Sequence, residues 1–144
     1  SDGVPDGVEA IDCAGQCLAP GLIDMRVFIG EPGAEHKETL ATASEAAAVG
    51  GVTTITMMPE TDPVIDDVAL VEFVARQARE NAVVSILPTA AITKGLAGNE
   101  MTEMGLLQSA GAVALTAGTR AVANSLVMRR VLSYASSFDM LIMH

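Results

Sequence analysis

Short apolar segments alternate with helical patterns along most of this chain, and the alternation restricts the fold more than any other feature of the sequence. Segment 52–58, for example, is rich in β-branched residues and is closed by Pro59, as expected of a strand. The predicted strands cover residues 22–27, 52–58, 83–87, 112–115 and 140–143. Because helical crossovers connect parallel strands, the sequence predicts helices packed on a parallel sheet.

Capping residues and glycines mark the ends of the predicted helices. These helices cover residues 38–49, residues 67–81, a segment ending at Ala110, and a segment from Asn124 to about Ser136. Asp66 is the predicted N-cap of the second helix, and Asn99 or Thr102 that of the third. Gly50 is predicted to end the first helix in a left-handed conformation. Two further short strands are predicted near residues 8–11 and 16–18.

Composition narrows the classes of function. The chain has 144 residues, half of them hydrophobic but only 3% aromatic, so aliphatic side chains must fill the core. A formal net charge of −10 argues against nucleic-acid binding. Neither a membrane span nor a signal peptide is apparent, so a cytoplasmic location is expected. Cys13 and Cys17 form an isolated pair, for which ordinary buried or half-buried thiols are expected rather than a metal site.

Two architectures fit the alternating pattern. One is an open, doubly wound sheet, and the other is the first part of an eight-stranded β/α barrel. No glycine-rich phosphate loop follows any predicted strand, which counts against a nucleotide-binding open sheet. The last predicted strand, 140–143, has no covering helix after it, which favours the first five strands of a barrel.

The C-terminal ends of the strands are the places to look for chemistry, since barrel enzymes carry their reactive groups there. The period of two places alternate residues of the first strand, from Asp24 to Gly30, on one face. Candidate residues in or directly after the predicted strands are Asp24, Arg26, Phe28, Gly30, Glu60, Thr89, the segment 116–119 and His144.

Several stretches together resemble the dihydroorotase family of the cyclic amidohydrolase superfamily. They are "PGLIDM", "EPGAEHKET", "MPETDPVID", "ITKGLAGNEMTEMGLLQSAGAVALT" and the final "LIMH". The resemblance covers nearly the whole chain, although the family is about three times as long. It implies a (β/α)8 barrel of the TIM type, with residues 21–144 forming its front portion. Residues 1–20 are then expected to belong to a small β-sandwich.

The resemblance also implies a metal site, usually zinc, whose residues are replaced in this chain. The family's first strand ends in H-x-H-x-R, with two metal-binding histidines and an arginine that holds the substrate carboxylate. Arg26, Phe28 and Gly30 stand at those three places. Phenylalanine has no lone pair to donate, and a protonated guanidinium cannot ligate a metal. The sequence therefore predicts that no zinc is bound in the family's manner.

Other positions also lack the residues that the family has at its site. Glu60 stands where the family has a substrate-binding asparagine, and Ala117 lies where a carboxylate or a carbamylated lysine is expected. Only His144, at the end of the fifth strand, matches a family metal ligand. Arg26 and Glu60 therefore occupy family site positions, His144 is a relic of the metal site, and no catalytic residue is assigned.

Structural roles are expected for most of these residues. Arg26 is expected to pair with Asp24 or Glu60, and Phe28 to fill the space that a metal would occupy. His36, in the turn before the first helix, is expected to form local hydrogen bonds.

Two functions follow from the resemblance. The first is a non-catalytic dihydroorotase homologue of pyrimidine biosynthesis, acting as a scaffold for aspartate transcarbamoylase or through self-association. The alternative is an active cyclic-amide hydrolase that binds one metal through His144 and later residues, or that uses Glu60 with Arg26. The replacement of ligands at several separated positions favours the first function.

Overall fold

The structure is a computed structural model that describes residues 7–144. Its strands are β1 (Leu22–Val27), β2 (Val52–Met57), β3 (Ser85–Pro88), β4 (Ala90–Ala91), β5 (Leu115–Thr116) and β6 (Ile142–Met143). Its α-helices are α1 (Leu40–Val49), α2 (Val68–Asn81), α3 (Met104–Ser109) and α4 (Ser125–Ser136), and a 3-10 turn covers Lys94–Leu96. The alternation of strands and helices predicted from the sequence is confirmed.

All the strand pairings are parallel, but they form two three-stranded sheets in the orders β1-β2-β3 and β4-β5-β6. The third strand, predicted over residues 83–87, begins only at Ser85, and a second short strand, β4, follows it directly after Thr89. Pro88 has no N–H for a ladder, and both the N–H and the hydroxyl of Thr89 donate to the Met57 carbonyl, at 3.0 and 2.6 Å. The next residue, Ala90, donates instead to Ala114, at 3.1 Å. The chain thus changes partner from one sheet to the other within two residues.

Two of the predicted capping residues are displaced by one position, and α1 begins at Leu40 rather than at residue 38. Asp67, not Asp66, caps α2, because its carboxylate accepts the Leu70 N–H at 3.0 Å. The carboxylate of Asp66 instead accepts the Gly95 N–H at 2.7 Å, which ties the start of α2 to the 3-10 turn. After α1, Gly51 is the left-handed residue (φ +77°) that the tight turn into β2 requires, whereas Gly50 remains helical.

The third helix begins later than predicted, and neither Asn99 nor Thr102 caps it. The hydroxyl of Thr102 donates to the Ala91 carbonyl at 2.7 Å, so it holds the loop to β4 rather than starting a helix. The prediction for α4 is confirmed, since the Asn124 side chain accepts the N–H groups of Leu126 and Val127.

The core lies between the sheets and the helices packed on them. Its largest fully buried side chains are aliphatic or thioether groups apart from Thr89, as the shortage of aromatic residues predicts. They include Leu40, Ile55, Met57, Ile65, Val71, Val74, Met104, Leu107, Leu115 and Val131. This burial fixes the strands side by side, so their C-terminal ends meet at one edge.

The N-terminal segment differs from the prediction. Residues 8–13 and 16–20 contain no strand, since a strand needs a hydrogen-bonded neighbour and the described residues provide none for this segment. A tight turn closed by the Gln16 N–H and the Cys13 carbonyl joins the two parts. Both thiols are exposed rather than buried or half-buried. The assignment of residues 1–20 to a β-sandwich stays a prediction, and residues 1–6 lie outside the described part.

β1 forms one edge of its sheet and exposes apolar side chains, as expected for part of a barrel. Leu22, Ile23 and Met25 are all more than half exposed. Leu141, beside the opposite edge strand β6, is also exposed. Within residues 7–144, no helix combines the length and apolar character needed to cross a membrane.

The cap of α4 gives a test of the described fold. We expect Asn124→Ala to lower the free energy of unfolding by about 1 kcal/mol, because two N–H groups lose their acceptor. Urea denaturation measures this change. Asn99→Ala is the matched control, since Asn99 is exposed and caps no helix, and we expect it to have little effect. Equal effects of the two substitutions would contradict the assignment.

Candidate functional site

The C-terminal ends of the strands surround a cleft of about 220 Å³. The side chains and backbone that line it come from β1, from the residue after β2, and from the ends of β5 and β6. They are Met25, Arg26, Met58, Thr116, Gly118, Met143 and His144. We call this space the strand-end cleft. It brings together two of the predicted site residues, Arg26 and His144, which are more than one hundred positions apart in the chain.

Arg26 does not form the expected ion pair. Within residues 7–144 the ion pair found is Lys94–Glu100, on the outer surface. The Asp24 carboxylate accepts the backbone N–H of Arg26 at 3.0 Å, and Glu60 is bonded elsewhere. The guanidinium of Arg26 lies 5.8 Å from the centre of the Phe28 ring, within the range of a cation–π contact. Its charge is thus held by an aromatic face and is not neutralised by a carboxylate.

Phe28 does not fill the cleft, in contrast to the expectation. Its side chain is 46% exposed and is not among the lining groups. The period-two argument fails here because β1 ends at Val27 and its register with β2 shifts between Asp24 and Val27. Residues beyond the strand therefore no longer alternate between its two faces.

Glu60 connects the loops after β2 and β5. One carboxylate oxygen accepts the backbone N–H of Thr119 at 2.7 Å and also the hydroxyl of the same residue. The other oxygen is buried and has no hydrogen-bond partner within the described part of the chain. Sequence reasoning identified Glu60 and Thr119 separately but missed their contact. The sequence feature that could have indicated this contact was the small residue between Ala117 and Thr119.

That small residue is Gly118, and the contact depends on it. A Cβ added to Gly118 would lie 2.6 Å from the Glu60 carboxyl carbon, and the backbone φ is +68°. Only glycine meets both conditions without strain. The Glu60 carboxylate is thus accommodated by the absence of a side chain at Gly118.

The backbone around Gly30 leaves even less room for a side chain. An added Cβ would lie 2.4 Å from the carbonyl oxygen of Ala34 and 2.9 Å from that of Glu38. Both neighbours are backbone atoms, which cannot rotate away as a side chain can. The arginine that the resemblance implies at this position does not fit unless the loop after β1 moves.

The loop after β1 is held by carboxylates. Glu31 accepts the N–H of Leu40 at 2.9 Å and so satisfies the start of α1. Glu35 accepts the N–H of Gly33, and this hydrogen bond lowers the pKa of Glu35 below its usual value. His36 is exposed, and no side-chain hydrogen bond of His36 is found in residues 7–144, so the expected local bonding role falls to Glu35.

His144 has one ring nitrogen engaged. Its Nε2 accepts the backbone N–H of Val122 at 3.1 Å. A nitrogen that accepts a hydrogen bond has its lone pair occupied and is not free for a metal. The bond also fixes the tautomer, because the proton of the neutral ring must then be on Nδ1.

The donor set does not fit a catalytic zinc. Such a site normally has three protein ligands drawn from histidine, cysteine and carboxylates. Residues 7–144 contain no group of three or more such side chains arranged to hold a metal ion. The charged group that lines the cleft, Arg26, repels a cation.

The fold and the position of the cleft together define the class of protein. Parallel strands alternate with helices, and polar residues collect where the strands end, as in β/α barrels. The L-hydantoinase (dihydropyrimidinase) from Arthrobacter aurescens has a similar structure, with a TM-score of 0.72 and 23% identity. The similarity covers 85% of this chain and 28% of that one. The architecture is therefore the front part of a (β/α)8 barrel.

Sequence comparison identifies the family within this class. The family described as "Dihydro-orotase-like" matches residues 15–144, so the chain belongs to it. The dihydroorotase of Syntrophobacter fumaroxidans is 47% identical over 130 residues, which cover 90% of this chain and 30% of that protein. The dihydroorotase of Citrifermentans bemidjiense is 46% identical over 131 residues, covering 91% and 31%. The chain thus spans about 30% of the length of these curated relatives.

The contact between Gly118 and Glu60 gives a stability test. We expect Gly118→Ala to cost about 1–3 kcal/mol of unfolding free energy, because the added methyl group meets a carboxylate and the left-handed backbone disfavours alanine. The control is Gly95→Ala, where φ is +57° and nothing lies within 4 Å of the added Cβ.

We expect the excess cost of Gly118→Ala to disappear in a Glu60→Ala background, whereas the cost of Gly95→Ala stays the same. Chemical denaturation of the unmodified chain, the three single variants and the two double variants measures both. If Gly118→Ala costs the same with and without Glu60, the clash is not the cause.

Proposed function

We propose that this chain is the front portion of a dihydroorotase-like protein of pyrimidine biosynthesis that does not carry out metal-dependent hydrolysis of dihydroorotate. The observation that carries the proposal is the simultaneous replacement of family site residues at Arg26, Phe28, Gly30 and Ala117. These positions lie on two different strands or directly after them. One replacement is compatible with drift, whereas four that affect one site are consistent with the loss of selection for hydrolysis.

Electrostatics support the absence of zinc. At a separation of 4 Å and an effective dielectric constant near 20, each unit of like charge costs about 4 kcal/mol, so a dication beside Arg26 is strongly disfavoured. One histidine does not compensate for this, and the Nε2 of His144 already accepts a hydrogen bond. Without a metal, no hydroxide forms near neutral pH to attack a cyclic amide.

Backbone geometry supports the same proposal. Gly30 lies against the carbonyl oxygen of Ala34, so the family's substrate-binding arginine does not fit there. Glu60, at the family's asparagine position, is held by Thr119. Two positions expected to contact the substrate are thus occupied by groups with structural contacts.

A scaffold role explains why a member of this family is retained without hydrolytic activity. The partner we propose is aspartate transcarbamoylase, as the resemblance implies, with self-association as the alternative. The exposed apolar side chains of β1 and the residue before β6 need covering by protein, either by further strands of the same chain or by a partner.

One observation favours the alternative function, an active cyclic-amide hydrolase with an atypical site. A carboxylate oxygen of Glu60 is buried without a partner, and such an oxygen is suited to accept a proton. Glu60 is not among the groups that line the strand-end cleft, however, which separates it from the space where a substrate would bind.

The absence of hydrolysis is tested on the purified full-length protein. We expect no turnover of dihydroorotate, hydantoin or allantoin with added zinc, and much less than one zinc per chain by elemental analysis. The dihydroorotase of Syntrophobacter fumaroxidans, assayed in parallel, is the positive control. Stoichiometric zinc together with metal-dependent turnover would contradict the proposal.

The scaffold role is tested by reconstitution. We expect the full-length protein and purified aspartate transcarbamoylase from the same organism to form a complex of defined stoichiometry in light scattering. Bovine serum albumin is the control for non-specific association. A full-length protein that stays a monomer, with or without the transcarbamoylase, would exclude both the partner and self-association.

A further inference from the structure

We propose that the strand-end cleft is a metal-independent binding site for a small carboxylate, in which the guanidinium of Arg26 supplies the positive charge. The inference rests on the proposed function in one respect, namely that the cleft holds no zinc. It goes beyond that function by assigning a ligand class to the site. The polar side chains that line the cleft are those of Arg26, Thr116 and His144.

Arg26 is the first of three hydrogen-bond donors in the cleft. A guanidinium carries five N–H groups and no acceptor, and its planar fork matches a carboxylate. No carboxylate of residues 7–144 forms an ion pair with it. The Phe28 ring, 5.8 Å away, lies beside the guanidinium without using its N–H groups as a carboxylate would. Arg26 therefore presents a charge and free donors to the cleft.

His144 and Thr116 add donors through the hydrogen bonds that they already make. Because the Nε2 of His144 accepts the Val122 N–H, the proton of the neutral ring is on Nδ1, which is left as a donor. The hydroxyl oxygen of Thr116 accepts the N–H of Gly118 at 3.1 Å, so its own proton is available to a ligand. Three groups from three strand ends thus present donors, an arrangement that suits an anion.

The rest of the cleft limits the size and environment of the ligand. Three methionines, Met25, Met58 and Met143, add apolar surface to the cleft beside the polar groups. The volume of about 220 Å³ is below the usual range for drug-sized ligands. A small carboxylic acid fits these limits.

The carboxylate of Glu60 repels a bound anion, so Glu60 provides a second test of the proposal. Its carboxylate lies behind Gly118, within 2.6–2.9 Å of where a Cβ would be, and it keeps its negative charge close to one wall of the cleft. Removing this charge should strengthen anion binding, whereas removing the charge of Arg26 should weaken it. The two substitutions therefore have opposite expected signs.

The test is equilibrium binding of malonate, measured by titration calorimetry on the full-length protein after removal of metals with EDTA. We expect Arg26→Gln to weaken binding about tenfold or more, because charge-assisted hydrogen bonds are lost. Arg129→Gln, on the exposed surface of α4, removes the same charge away from the cleft and should change binding less than about twofold. Glu60→Gln keeps an acceptor for Thr119 and should tighten binding.

The proposal would be overturned by no malonate binding by the unmodified chain, by equal losses in the Arg26 and Arg129 variants, or by binding that requires added zinc. Arg26→Lys, which keeps the charge but not the fork, should bind with intermediate affinity. Inorganic phosphate is the second probe, and preference for it over malonate would contradict the carboxylate assignment. If dihydroorotate is hydrolysed in a zinc-dependent reaction and malonate still binds in EDTA, only the proposed function is overturned. If dihydroorotate is not hydrolysed and malonate does not bind, only this inference is overturned.

Discussion

The carbonyl oxygen of Met57 accepts both donors of Thr89, and the rest of the site depends on this contact. It holds the interrupted third strand against β2 at the point where the chain leaves one sheet and enters the other. Together with the Glu60–Thr119 contact and the shared core, it positions β4 and the strands that follow relative to β1. The strand-end cleft is lined from both sheets, so this hydrogen-bonded junction determines which residues face one another.

The chemistry of the cleft follows from the charge that the chain places there. In the metal site that the resemblance implies, a cation bound by neutral and anionic ligands would provide the positive potential at the ends of the strands. Here a permanent cation, Arg26, belongs to the chain itself, and no carboxylate of residues 7–144 forms an ion pair with it. A site with a built-in positive charge and a few donors disfavours metal ions and favours anions. The proposed loss of hydrolysis and the proposed carboxylate site are therefore two consequences of the same replacement.

Local signals predicted the elements more reliably than they predicted their ends. The bounds of β1 and the cap of α4 agree with the sequence analysis, because a short apolar run and an Asn at a helix start are local patterns. Asp66 and Asp67 were equally plausible caps by residue type. The choice between them was made by the Gly95 N–H, which is distant in sequence and occupies the carboxylate of Asp66.

The sequence by itself determined the alternation of strands and helices and the aliphatic core, since each depends on residue type and spacing. That Arg26 and Phe28 stand where the family has metal ligands is implied by the resemblance alone. Only the tertiary structure decided that Arg26 has no ion pair within residues 7–144, that Phe28 lies outside the cleft, and that Glu60 bonds to Thr119. These outcomes depend on contacts between residues far apart in the chain. Such contacts are determined by how strands register and loops pack, and no local pattern contains that information.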